Sequence, residues 1–161
     1  MNEYVAKALA RLSGRDPVEV LSTTPSRLED TFWELGPRGL DRSYGEGKWT
    51  ARQLFAHLAD VEIVYGFRLR LALAETKPTV QVMDQDAWVK STGTGDTSLA
   101  IELFRALRLW NLELIRSLSP DDRAREMDHP ERGVETVDLL VSLMAAHDLG
   151  HLEQLAAVPR G

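Results

Sequence analysis

Met144-Ala145-Ala146-His147-Asp148-Leu149-Gly150-His151-Leu152-Glu153-Gln154-Leu155 sets two imidazoles one helical turn apart inside an apolar run. Around it, positions 137, 140, 144, 147, 151, 154 and 158 advance by alternating threes and fours, the spacing of the stripe that a bundle helix turns inward. They hold Val, Leu, Met, His, His, Gln and Val, so the stripe begins apolar and ends polar. An imidazole in a core loses desolvation energy unless both nitrogens find partners, and two neighbours need a shared explanation. Residues four apart on a helix point the same way, so the pair can grip one cation if a facing helix supplies a third donor.

Helical periodicity extends outward from this stretch, and no segment alternates convincingly as a strand. The helix itself is expected from about Thr136 to just before Pro159, and another from roughly Thr97 to Leu118, stopped by Ser119-Pro120. A third carries a clear start signal: Thr50 is a good N-cap, Gln53 completes a capping box, and Trp49 can staple onto Leu54. It runs to about Ala74. Upstream, a short helix over about residues 2–12 ends at Gly14, Asp16-Pro17 starts a turn or two, and an amphipathic segment runs from Pro25 to Leu35. A glycine-marked loop, Gly36 to Lys48, follows. These elements predict an all-α protein, a four-helix bundle with a short N-terminal helix, in one domain over residues 1–161.

The third imidazole comes from the Thr50 helix, where His57 lies in Gln53-Leu54-Phe55-Ala56-His57-Leu58-Ala59-Asp60-Val61. Alone, His57 reads better as a core or boundary histidine bonded to a neighbouring carboxylate than as a ligand, while the 147/151 pair reads better as a metal pair than as a partly exposed helix face. Both sit at similar depths in their helices, so flush antiparallel packing would level all three rings. If the last two bundle helices are also antiparallel, the two before the final one must run parallel, which demands a crossover. The link from Thr76 to Gly95 is long enough to supply one. His129, before Pro130, reads as a turn residue.

Composition narrows the chemistry. There is no cysteine, so any metal must be held by nitrogen and oxygen, and thiol chemistry would need a second molecule. With 19 Lys plus Arg against 25 Asp plus Glu, the net charge is −6 and the basic residues are scattered, which argues against nucleic acid and anionic membrane as partners. The N-terminus lacks an apolar signal core and no stretch approaches a membrane span, so a cytoplasmic protein is expected. A zinc-protease helix is set aside because Asp148 stands where that motif needs glutamate and position 157 is Ala. A di-iron bundle is set aside because Leu54 and Met144 stand where Glu would precede His57 and His147.

Gly47-Lys48-Trp49-Thr50 leading into His57-Leu58-Ala59-Asp60-Val61-Glu62, the Asp84-Gln85-Asp86-Ala87-Trp88 segment, His129-Pro130-Glu131-Arg132-Gly133 and the closing Ala146-to-Leu155 run resemble the DinB-like family of bacterial proteins, from about Asp16 onward. The resemblance implies a helical bundle with one divalent metal, nickel or zinc, bound by His57, His147 and His151. It also brings in relatives that are S-transferases and isomerases using bacillithiol, mycothiol or glutathione. Three imidazoles leave a coordination position open, where water or a thiolate could sit.

Around that site, Asp60 and Gln154 are placed to orient imidazoles, Arg68 could hold an anionic substrate group, and Trp88 and Met83 could form a lid. No general base is assigned. The expectation is a metal-dependent enzyme acting on a small molecule, an S-transferase activating a low-molecular-weight thiol. The alternatives are a non-catalytic metal-binding or sensing bundle and a hydrolase using metal-bound hydroxide. Leu99, Leu103, Leu107, Trp110, Leu114 and Leu118 on one face of the Thr97 helix, with Ile101, Phe104, Leu112 and Ile115 opposite, make it apolar on most sides and predict a homodimer with this helix near the interface.

Overall fold

Asn2, Asp16, Thr50, Asp96, Ser119 and Thr136 each place a side-chain oxygen on an orphan backbone N–H and thereby start a helix. The computed structural model describes residues 2–160. In chain order the elements are α1 (Glu3–Leu12), α2 (Pro17–Leu40), α3 (Ala51–Ala74), α4 (Gln85–Thr92), α5 (Thr97–Ser117), α6 (Pro120–Ala124), β1 (Glu126–His129), β2 (Gly133–Thr136) and α7 (Val137–Ala156). The predicted box at Thr50 is complete: its hydroxyl accepts from the Gln53 amide at 3.3 Å, and the Gln53 side chain accepts from the Thr50 amide at 2.9 Å. None of the described helices is long and apolar enough to cross a membrane.

Helices α2, α3, α5 and α7 form the bundle. Arg52 bonds Thr97, Arg108 bonds Glu62, and Arg70 bonds Asn111. Residue numbers therefore rise together along α3 and α5, and the two run parallel. Helix α7 runs against them: its start, Val137, hydrogen-bonds Arg125, whose guanidinium caps the end of α3 at Ala72 and Glu75, while His147 and His151 meet His57 near the start of α3. The Thr76–Gly95 link is the crossover that the parallel pair requires. It is not structureless, since α4 forms within it on an Asp84 cap.

Two segments differ from the sequence expectation. The turn at Asp16-Pro17 and the Pro25–Leu35 segment are one continuous helix, broken only at Gly36, whose φ of 59° leaves helical space before a last turn from Pro37 to Leu40. Pro25 survives inside it because the carbonyl it deprives of a partner, that of Leu21 four residues back, accepts a hydrogen bond from Arg108 Nη1 at 3.1 Å. The loop around His129-Pro130 is the turn of a two-stranded antiparallel hairpin, with His129 opposite Gly133 at φ 82°. Each strand carries a single aliphatic side chain, Met127 in one and Val134 in the other, so alternation does not stand out in the sequence.

The core has two parts, one built around Leu21, Leu69, Leu112, Val137 and Met144, the other around Leu28, Leu54, Phe55, Phe104 and Leu155. Between them lies a layer of buried charge. The Arg108 guanidinium donates to Glu62 at 3.0 and 2.7 Å, to Asp148 at 2.6 and 3.2 Å, and to the Leu21 carbonyl. Asn111 adds a bond to Glu62 at 2.8 Å, approaching over Gly66, where any Cβ would stand 2.8 Å from the amide. One cation thus joins α2, α3, α5 and α7 at a single point.

A candidate three-histidine metal site

The three predicted imidazoles converge. His57 Nε2 lies 3.1 Å from His147 Nε2, and His151 Nε2 lies 3.0 Å from the same atom. All three offer a ring nitrogen within 4.8 Å of the others, the one such cluster among the described residues. Two nitrogens each about 2.0–2.1 Å from a shared cation stand roughly 3 Å apart, so the spacing fits one ion.

Proton bookkeeping gives a second test. Burial, then repulsion from its partner rings, holds His147 well below the usual imidazole pKa; burial and His151 push His57 down to about 3, and burial brings His151 down to about 4. At neutral pH all three rings are uncharged. His151 Nδ1 lies 2.8 Å from the Gln154 amide oxygen, which can only accept, so that proton sits on Nδ1 and Nε2 presents a lone pair to the cluster. The Nε2 atom of His147 faces two other ring nitrogens at once. Three nitrogens with so few protons among them repel one another, and a cation at their centre relieves this. An all-imidazole donor set suits a first-row divalent cation, and it leaves a side open.

That side faces a cavity of about 530 Å³, bounded by His147 and His151 on one wall and by Tyr4, Lys7 and Arg11 of α1 on the other. A smaller cavity of about 280 Å³ shares Tyr44, Gln85, His151 and Gln154 with it and continues past Trp49 and Lys48. Arg11 is held by Glu153 at 3.2 Å and passes over Gly150, where a Cβ would stand 3.0 Å from its guanidinium. Trp49 packs its ring 4.8 Å from that of His57 and stacks on that of His151 at 6.5 Å. Tyr65 lies edge-on to His147 at 6.0 Å, and burial pushes its hydroxyl pKa up, keeping it neutral.

The remaining sequence candidates divide. Gln154 orients His151 as expected. Asp60 orients no imidazole: its carboxylate accepts from Thr92 at 2.7 Å and ties α4 to α3, while His57 Nδ1 is buried with no protein partner among the described residues. Arg68 lies away from the histidines and donates to the Gln81 carbonyl. Trp88 and Met83 do not cover the site either; they line a different cavity on the outer side of α3, and it is Gln85 and Asp86 of the same segment that reach the metal side. His129, expected at the surface or in a turn, is instead the buried last residue of β1, its Nδ1 accepting from the Glu131 amide at 3.2 Å across the hairpin turn. Asp148 points into the charged layer and not toward the rings, which agrees with setting the protease motif aside. Sequence reasoning missed the α1 wall, because nothing in residues 3–12 says which helix their polar face will meet.

A family model described as the DinB superfamily matches residues 21–155. A protein of Oceanobacillus iheyensis named "Putative metal-dependent hydrolase OB0782" is 32% identical over 145 residues, covering 88% of this chain and 83% of its own. YfiT of Bacillus subtilis, with the same hydrolase name, is 28% identical over 146 residues, covering 89% and 82%. Its solved structure, described as a probable metal-dependent hydrolase with an unusual four-helix bundle topology, superimposes with a TM-score of 0.83 over 88% of this chain and 83% of that one. A point mutant of a mycothiol-dependent maleylpyruvate isomerase shares the fold at a TM-score of 0.69 and 17% identity, over 88% of this chain and 60% of that one.

Proposed function

Because the chain belongs to the DinB superfamily, whose relatives here bear metal-dependent names, we propose that it is a metal-dependent enzyme whose ion, zinc or nickel, is held by His57, His147 and His151. The observation that carries this reading is the convergence of three neutral imidazoles on one point beside an open cavity. A divalent cation held there would keep a thiol deprotonated, or lower the pKa of water toward about 7.

The substrate class we infer is a low-molecular-weight thiol together with a small electrophile. Gln154 fixes the His151 tautomer, Trp49 shields the rings from water on one side, and Lys7 and Arg11 give the far wall of the cavity two cations against the Glu153 carboxylate. That charge balance favours a substrate carrying carboxylate or phosphate. A cytoplasmic setting, proposed from the sequence, would supply the reduced thiol. The names of the relatives favour a second reading, hydrolysis without thiol.

One assay separates these. Protein loaded with zinc or nickel, given a thiol and chlorodinitrobenzene, is expected to form the carbon–sulfur bond and release chloride faster than metal-free protein. Metal-dependent ester or amide hydrolysis with no thiol present would support the hydrolase instead. A loaded protein with neither activity would leave a binding or sensing bundle.

We further propose that a second copy of the chain covers α5. Leu99, Leu103 and Trp110 project from it into solvent, Trp110 with 66% exposure. Beside Trp110, the α3–α5 groove is lined by Leu73 and Leu114 and flanked by Arg70 and Glu113, opposite charges that a two-fold axis would pair reciprocally. Light scattering at micromolar concentration should give twice the 18.1 kDa chain mass; a monomer overturns this.

A further inference from the structure

Arg68 lies eleven residues beyond His57 on α3, about 16 Å along the helix axis. It is only 6% exposed, yet it makes no ion pair among the described residues, and its side-chain hydrogen bond goes to the carbonyl of Gln81. The nearest carboxylate influence is Glu135, which is already gripped by Arg132 through two hydrogen bonds. Glu135 is thus committed to Arg132 and forms no ion pair with Arg68, and burial is the main cause that lowers the Arg68 pKa. Buried charges in proteins are paired, so an arginine in this state is short of an anion.

Its surroundings say what kind. Arg68 and Gln81 line a cavity of about 250 Å³ whose other walls are Ile63, Val64, Phe67, Val80, Val82, Met83 and Trp88, with Arg68 the one charged residue among them. Phe67, Val82 and Trp88 are exposed around it although large and apolar. No lining residue is shared with the two cavities at the histidines. A compact apolar pocket with one charged group and few other polar ones is the layout of a small-molecule site, here just under the roughly 300–1,000 Å³ typical of drug-sized ligands.

We propose that this cavity is a second ligand site, separate from the histidine cluster, that takes an amphipathic monocarboxylate, with the carboxylate on Arg68 and an aryl or short alkyl body between Phe67, Met83 and Trp88. The probe is 3-phenylpropionate, compared by calorimetry with 3-phenylpropanol, which has the same body and no charge. The carboxylate is expected to bind at least about 10-fold more tightly, since a hydrogen bond to a charged group is among the stronger ones a site can make. In Arg68→Gln that preference should vanish, leaving both ligands at the affinity of the alcohol. Should Arg68→Gln fail to fold, Val82→Trp, at an exposed rim position, should block both ligands. His147→Ala and chelated protein should bind 3-phenylpropionate as wild type does, which separates this site from the metal reading. Equal affinity for the two probes, a preference that survives Arg68→Gln, or binding lost with His147 would overturn the proposal.

Discussion

Replacing His147 with alanine is expected to reduce metal content, by elemental analysis of protein purified without a histidine tag, from about one zinc or nickel per chain to background. His147 is the middle ring, 3.1 Å from one partner nitrogen and 3.0 Å from the other, so its removal leaves His57 and His151 without the donor between them. Loss of an outer partner such as Gln154 should cost about 10–100-fold in affinity, and loss of a ligand more than that. Metal at 1,000 times its dissociation constant should stabilise wild type by about 4 kcal/mol and the variant by nothing measurable. Retention of one ion per chain by His147→Ala would end the three-histidine reading.

The same site sets a pH dependence for metal-free protein. The three imidazoles fall from a usual pKa of 6.5 to about 3 at His57, about 4 at His151 and well below 6.5 at His147. Between pH 6.5 and about 4 the unfolded chain therefore binds protons that the folded chain refuses, and acidification favours unfolding. Each ring contributes a slope of about 1.4 kcal/mol per pH unit in that window. His147→Ala should flatten the slope by one such increment, read from denaturant midpoints between pH 7 and 4.5.

What the sequence reveals about this site follows from how far apart the cooperating residues lie. His147, His151 and Gln154 cooperate within one helix, so their spacing shows both the ligand pair and the group that orients it. The Thr50–Gln53 box is equally local. His57 joins them only through helix depth and direction, which are legible because both helices have clear ends. The 76–95 link shows its length and so its crossover, but not which face of α4 meets the site. Hence Gln85 and Asp86, not Trp88 and Met83, line the cavity that His151 borders. Asp60 has the right offset for orienting His57 yet bonds Thr92, since offset fixes which face a side chain occupies and not what it meets there. The Arg108 layer is the extreme case. Its partners stand 40, 46 and 87 positions away, and in sequence Arg108 is one more charged residue on a helix.

That layer carries the largest expected loss of stability. Arg108→Met keeps an unbranched apolar stem but removes the cation from between Glu62 and Asp148, both nearly inaccessible, and strips the Leu21 carbonyl of the donor that Pro25 obliges it to find elsewhere. In wild type, burial opposes the guanidinium charge, and Asp148 and Glu62 overcome that opposition to hold it protonated beyond its usual range; burial also pushes the Asp148 carboxyl up, against the pull of Arg108. Removing one member of such a buried set leaves uncompensated charge and typically costs about 3–5 kcal/mol, a large share of the roughly 5–15 kcal/mol by which domains are stable. Chemical denaturation at pH 7 should show it as a lower midpoint. The deficit should narrow as pH falls, because burial already raises the Asp148 carboxyl and Arg108 is the main group pulling it back, so that without the guanidinium protonation lets Asp148 stay buried at less cost. Replacing Glu62 and Asp148 with apolar residues of similar volume alongside Arg108→Met should recover most of the loss, since a well-packed apolar set can match a buried ionic one. A single variant that loses less than about 1 kcal/mol would mean that packing around Phe104 and Leu112, rather than the guanidinium, holds the four helices at this level.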